Sequence, residues 1–198
     1  MSKNAKVSGS VVAGFPSPAE QYQETLGTRF ARLDCFPTGR DCDDSKGWPD
    51  MFYGNKHSDL KPANREYAFV GSLGGLYRML LGCWRRETCA PRMQEKWSAS
   101  NPTCGQCSIT AFLVQDIFGG EVYGVPNGDG NYHCFNAVGD AVFDLTSEQF
   151  DHPLAYTMDF PQSRETHFAK TEKKLRYEAL KLALMKHHGS DSGCPDAS

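Results

Sequence analysis

Cys104-Gly105-Gln106-Cys107-Ser108-Ile109-Thr110-Ala111-Phe112-Leu113-Val114-Gln115-Asp116-Ile117-Phe118-Gly119-Gly120 begins polar and turns apolar around most of a helical circumference. Ile109, Phe112, Leu113, Val114 and Ile117 leave no broad face for water, which predicts a buried helix over Cys107–Phe118. Gly119-Gly120 ends it. Both cysteines stand at its N-terminal end, where unpaired backbone N–H groups and the positive end of the helix dipole stabilise a thiolate.

Upstream, residues 73–84 read as a second buried helix despite their glycines, followed by an irregular polar stretch over residues 85–103. Downstream, residues 122–125 and Tyr132–Val138 are strands separated by a Gly/Asn-rich loop. Gly139-Asp140 then marks a tight hairpin turn, with residues 141–145 returning. Residues 171–187 form an amphipathic helix, with Leu175, Ala179, Leu182 and Met185 on one stripe.

The chain has 198 residues, 39% hydrophobic and 23% charged, enough for one domain with an appended segment. Residues 1–70 form a Pro/Gly-rich N-terminal extension of unassigned role, with a helix expected over residues 19–33. Phe36, Trp48, Phe52 and Tyr53 suggest that it packs on the main domain. Residues 71–187 make the domain, and residues 188–198 a disordered tail. A net charge of −3 argues against an electrostatically driven nucleic-acid partner. No apolar run approaches the ~20 residues of a membrane span, nor does the N-terminus carry a secretory signal. These features predict a cytoplasmic protein, with no membrane partner, whose eight cysteines are thiols, ligands or a nucleophile before they are bridges.

Three chemistries compete for the cysteine pair. A Cys107 nucleophile needs a base and a group to orient that base. With a two-residue turn at Gly139-Asp140, Val138 pairs with Ala141, Phe135 stands opposite Asp144, and His133 opposite Thr146. His133, Phe135 and Asp144 then share one face, with Asp144 diagonal to His133 at ~7–8 Å between backbones, while Asn136 falls on the other face. The register selects Asp144 over Asn136 as the orienting group. A zinc site built from Cys104, Cys107, His133 and Cys134 is a weak reading, because adjacent strand residues point to opposite faces and cannot easily serve one tetrahedral ion. Thioredoxin-like redox chemistry would need an apolar strand before the motif, but residues 96–103 are polar and contain Pro102. Against all three stands a plain structural role, since free cysteine is commonly buried.

Trp84-Arg85-Arg86-Glu87-Thr88-Cys89-Ala90-Pro91, Gln94-Glu95-Lys96-Trp97, Asn101-Pro102 and Gly105-Gln106-Cys107 form an ordered series. It continues through Thr110-Ala111, Gln115-Asp116, Phe118-Gly119-Gly120, His133, Asn136, Asp144-Leu145-Thr146, Gln149-Phe150 and Arg176-Tyr177. Over residues 72–187 this series closely resembles the YunG family of small uncharacterised proteins. The Gly-Gln-Cys, His, Asp order is also similar to that of transglutaminases and papain-like enzymes. That resemblance implies an α+β fold, papain-like or transglutaminase-like, with the Cys107 helix packed on an antiparallel sheet. It implies Cys107 as nucleophile, His133 as base and Asp144 as orienter. The oxyanion donor would be the Cys107 backbone N–H, with Gln106, Asn101 or Gln94 as side-chain partners. Cys134 stands where the family's histidine is usually followed by an aromatic, and is expected to point away from the catalytic face.

The expected function is thiol-dependent hydrolysis or acyl transfer on an amide or thioester of a small molecule or peptide, without metal or organic cofactor. The rivals are a catalytically silent binding module on the same fold, and a Cys104–Cys107 redox protein.

Overall fold

The structure is a computed structural model that describes residues 52–128 and 130–191. The helix expected over residues 19–33, together with Phe36, Trp48 and residues 192–198, lies outside the described residues.

Helix α1, Leu73–Cys83, starts at Ser72, whose hydroxyl accepts from Gly75 N at 3.1 Å as an N-cap does. Leu73, Leu76, Tyr77 and Leu80 recur at helical spacing and are buried. Trp84 follows with no exposed surface, and its indole N–H donates to Thr110 Oγ1 at 3.0 Å. That bond ties α1 to helix α2, Cys107–Phe118. The five apolar residues singled out in α2 are all completely buried.

Strands β1 (Glu121–Pro126), β2 (Tyr132–Val138) and β3 (Ala141–Phe143) form one antiparallel sheet in chain order. Val138 pairs with Ala141, and Gly139 has φ +56°, which a two-residue hairpin turn requires at its first position. β3 is shorter than the expected return over residues 141–145. Past Phe143 the chain leaves β2, and Asp144 N donates to Tyr53 O at 2.9 Å. Helix α2 covers the face of β2 that carries Asn136, whose side-chain amide donates to Ala111 O at 2.9 Å. The fold is therefore mixed α and β, with the Cys107 helix packed on a three-stranded antiparallel sheet.

Helices α3 (Arg164–Phe168) and α4 (Thr171–Asp191) close the other side. Arg164 donates to Phe112 O at 2.8 Å and to Asp116 Oδ1 at 2.6 Å, fastening α3 to α2. The buried stripe of α4 is only partly the expected one: Ala179 is buried. Tyr177, Leu180 and Leu184 face the core, whereas Leu182 and Met185 are about half exposed. Two apolar sets compete on this helix, and polar anchoring selects between them. Tyr177 OH bonds Asp116 on α2, and the neighbouring Arg176 is buried against loop carbonyls.

Phe52, Tyr67 and Val70 lie in the same core as α1 and α2, and Ala63 N and Asn64 N both donate to Ile117 O. Residues 52–70 are thus built into the fold. Among the described residues, no helix is long and apolar enough to cross a membrane.

Candidate active site

The turn that delivers Cys107 is built around Gly105. Its φ is +67°, and a Cβ there would lie 2.6 Å from Cys89 Sγ, so any larger residue would displace the loop. The Gly105 carbonyl accepts from Ala90 N at 3.0 Å and from Arg176 Nη2 at 2.8 Å. Arg176 Nε also donates to Thr88 O at 2.8 Å, while its side chain is 2% exposed. One guanidinium thereby pins two chain segments against the start of α2.

His133, on β2, meets Asp144 just beyond β3: Nε2 lies 2.5 Å from Oδ2. Both residues are buried. The same Oδ2 accepts from Tyr156 OH at 2.9 Å, and Oδ1 accepts from Thr146 N at 2.8 Å and Thr146 Oγ1 at 2.9 Å. Four donors hold the carboxyl in place, so it holds the imidazole in turn. Phe150 meets the imidazole edge-on at 4.7 Å, and Tyr53 stacks on Tyr156 at 3.9 Å. Neither Thr146 nor Tyr156 was singled out from sequence. Tyr156 comes from an irregular segment with no periodicity to flag it.

Cys107 is half-buried and borders the same cleft as His133 and Cys134. His133 Nδ1 is buried and has no hydrogen-bond partner, so the imidazole acts on the sulfur through its charge. The Cys134 hydrogen bond and then the positive imidazole, working against burial, hold Cys107 well below the usual thiol range. Burial alone would depress His133, but the charges of Asp144 and Cys107 outweigh it and lift the imidazole to about 10. Cys134 is pushed well above its ordinary value by its bond to Cys107 and by burial, which makes it the donor. These shifts favour a thiolate on Cys107 and an imidazolium on His133, with the Cys134 thiol as donor. The expectation that Cys134 points away is corrected here. Helix α2 covers the 134/136 face of β2, so Cys134 lies on the Cys107 side and borders the same cleft as His133.

The YunG protein family profile matches residues 72–189, a span that contains Cys107, His133 and Asp144. The chain belongs to the YunG family. It is 36% identical over 107 residues to a Bacillus subtilis (strain 168) protein named "Uncharacterized protein YunG", covering 54% of this chain and 90% of that one. No solved structure matches.

Cys107 of this YunG-family chain borders a cleft of about 210 Å³. Gln106, Asn101 and Gln94 do not line it. Gln106 is fully buried and donates to Arg85 O at 2.8 Å; Asn101 accepts from Thr103 Oγ1; Gln94 donates to Cys89 O. Cys104 is hydrogen-bonded to Cys89, and burial raises both thiols, so the Cys-x-x-Cys pair is split between two partners. Four basic residues, Arg92, Lys170, Lys173 and Arg176, line the cleft with one acid, Glu172, which pairs with Arg176 at 3.4 Å. His167 also lines it, with Nδ1 accepting from Lys173 Nζ at 3.2 Å and Nε2 buried without a partner. Burial and the nearby Lys173 and Arg176 charges depress His167 to about 3, so it is neutral. Among the described residues, no group of three or more His, Cys, Asp or Glu is placed to hold a metal ion.

Proposed function

We propose that the chain is a thiol-dependent acyl-transfer enzyme acting on an amide or thioester. The observation that carries this reading is the Cys107 sulfur beside His133, whose far nitrogen is held by Asp144 at 2.5 Å. The Cys107 thiolate attacks the acyl carbon, and the carbonyl electrons move to oxygen. The backbone N–H of Cys107, in the first turn of α2 where intrahelical partners are lacking, faces that oxyanion. His133 gives its proton to the departing amine or thiol as the C–N or C–S bond breaks. Water or an amine then attacks the acyl-thioester, returning a proton to His133 and freeing the thiolate. Asp144 keeps the imidazole oriented throughout.

The order of Cys on a helix, His on the following strands and Asp after the next hairpin turn supports a papain-like or transglutaminase-like arrangement. The cations of the cleft favour a small-molecule or peptide acyl donor bearing an anionic group. The free thiols suit the reducing cytoplasm.

The test is to incubate the full chain with acyl thioesters and activated amides, each in a neutral and a carboxylate-bearing form, and map adducts by mass spectrometry. An acyl group on Cys107, with turnover lost in Cys107→Ala and preference for the carboxylate-bearing donor, supports the proposal. Turnover unaffected by Cys107→Ala, or an alkylatable Cys107 that takes no acyl group from any donor, overturns it in favour of the silent module.

A further inference from the structure

The acyl chemistry gives Cys134 no bond to make and no proton to carry to substrate. Cys134 is nonetheless 4% exposed on the face of β2 that α2 covers, where Asn136, two residues on, bonds Ala111 O one helical turn beyond Cys107, and both cysteines line one cleft. Cys107 itself is half-buried and borders the cleft, so a small solute reaches it from outside. The two thiols stand on different elements and are both free. A disulfide between them needs only that the two side chains turn toward each other across the shared cleft.

We infer that Cys134 is a resolving cysteine: once a hydroperoxide has oxidised Cys107, the Cys134 thiol closes a reversible Cys107–Cys134 disulfide across the contact between α2 and β2. In the first step the Cys107 thiolate attacks one peroxide oxygen. An S–O bond forms, the O–O bond breaks, and the leaving oxygen takes the His133 proton to depart as water or an alcohol. Sulfur loses two electrons and becomes a sulfenic acid while the peroxide is reduced. In the second step Cys134 gives its proton to the now neutral His133 and attacks the Cys107 sulfur. The S–S bond forms, the S–O bond breaks, and hydroxyl leaves with that proton as water. Two thiols and one hydroperoxide become one disulfide, one alcohol or water, and one further water. An external dithiol reverses the change. The disulfide occupies the sulfur that acyl transfer would use and shields it from irreversible sulfinic acid.

Cys89 and Cys104 supply an internal control. They too are hydrogen-bonded to each other, but burial raises both thiols, Cys89 to about 12. Contact between sulfurs is common to both pairs. A nucleophilic thiolate open to solute belongs to Cys107 alone among the described cysteines.

The test treats the full chain, wild type and Cys134→Ser, with a few equivalents of hydrogen peroxide. Remaining thiols are blocked and peptides are mapped without reduction. Serine keeps a donor beside the thiolate but cannot close the bond. Wild type is expected to yield a 107–134 linked peptide that a dithiol releases, restoring Cys107 alkylation. Cys134→Ser is expected to accumulate a Cys107 sulfenic acid trappable by dimedone, and to reach sulfinic acid about tenfold more readily. Cys104→Ser should leave the 107–134 link intact. Equal sulfinic acid in wild type and Cys134→Ser, or a link from Cys107 to any other cysteine, overturns the inference. The readout needs no acyl turnover, so this inference and the proposed activity can fail separately.

Discussion

Replacing His133 by glutamine keeps a hydrogen-bonding side chain beside Cys107 and removes its charge. With its imidazole lifted to about 10, His133 is a cation at neutral pH. A positive group in contact with an acid usually lowers that acid's pKa by about 1–3. The Cys134 hydrogen bond, the larger stabiliser of the thiolate, remains in the variant. Cys107 should therefore move part of the way back toward an ordinary thiol. Near pH 6 its alkylation should slow on the order of 10- to 100-fold. The assay is iodoacetamide labelling from pH 5 to 10, quantified for each cysteine by peptide mass spectrometry. Cys83 and Cys89, both raised to about 12 by burial, and Cys104, also raised, serve as slow references in the same tube. In wild type the ion pair spans the window from the depressed Cys107 midpoint up to about pH 10, where the imidazolium gives up its proton. Labelling should be flat across neutral pH instead of climbing toward 9. A wild-type Cys107 midpoint near 9, or a His133→Gln profile that superimposes on wild type, refutes the reasoning.

Arg176→Met should lower stability in urea by on the order of 2–5 kcal/mol, because the Thr88 and Gly105 carbonyls both lose a buried donor; a loss below about 1 kcal/mol would show that the loop does not depend on it. His167 is depressed to about 3 by burial and by Lys173 and Arg176, so between pH 6.5 and 3 the unfolded chain binds a proton that the folded chain refuses. Acidification across that window therefore costs stability, and His167→Phe, which suits the ring contacts with Phe112 and Phe168, should flatten the fall in Tm. Equal slopes for the two proteins would refute a buried neutral His167.

Much of the site was legible because it rests on local rules. The bounds of α2 follow from an apolar run closed by two glycines. The pairing of Val138 with Ala141 follows from a two-residue turn whose first residue is glycine. With side chains alternating along a strand, that register alone puts Asp144 on the His133 side and Asn136 on the other. The oxyanion partners were misplaced for the converse reason. Gln106, Asn101 and Gln94 are near Cys107 in sequence, but their amides satisfy loop carbonyls or neighbouring hydroxyls, and proximity along a loop does not say where a side chain turns.

Arg176 and Tyr156 illustrate what hydropathy hides. An arginine on a charged helix reads as surface, yet Arg176 is buried because two carbonyls and Glu172 surround its guanidinium. Once Arg176 and Tyr177 turn inward, the exposure of Leu182 and Met185 follows from helical geometry.

Turn chemistry and periodicity over a few residues were enough for α1, α2, the hairpin register and the shared face of His133 and Asp144, but not for α3 or the short β3. Which face of β2 meets α2 was set by tertiary packing. Alternation sorts a strand into two faces and is silent on which one the helix covers. That choice brings the Cys134 thiol to the Cys107 sulfur.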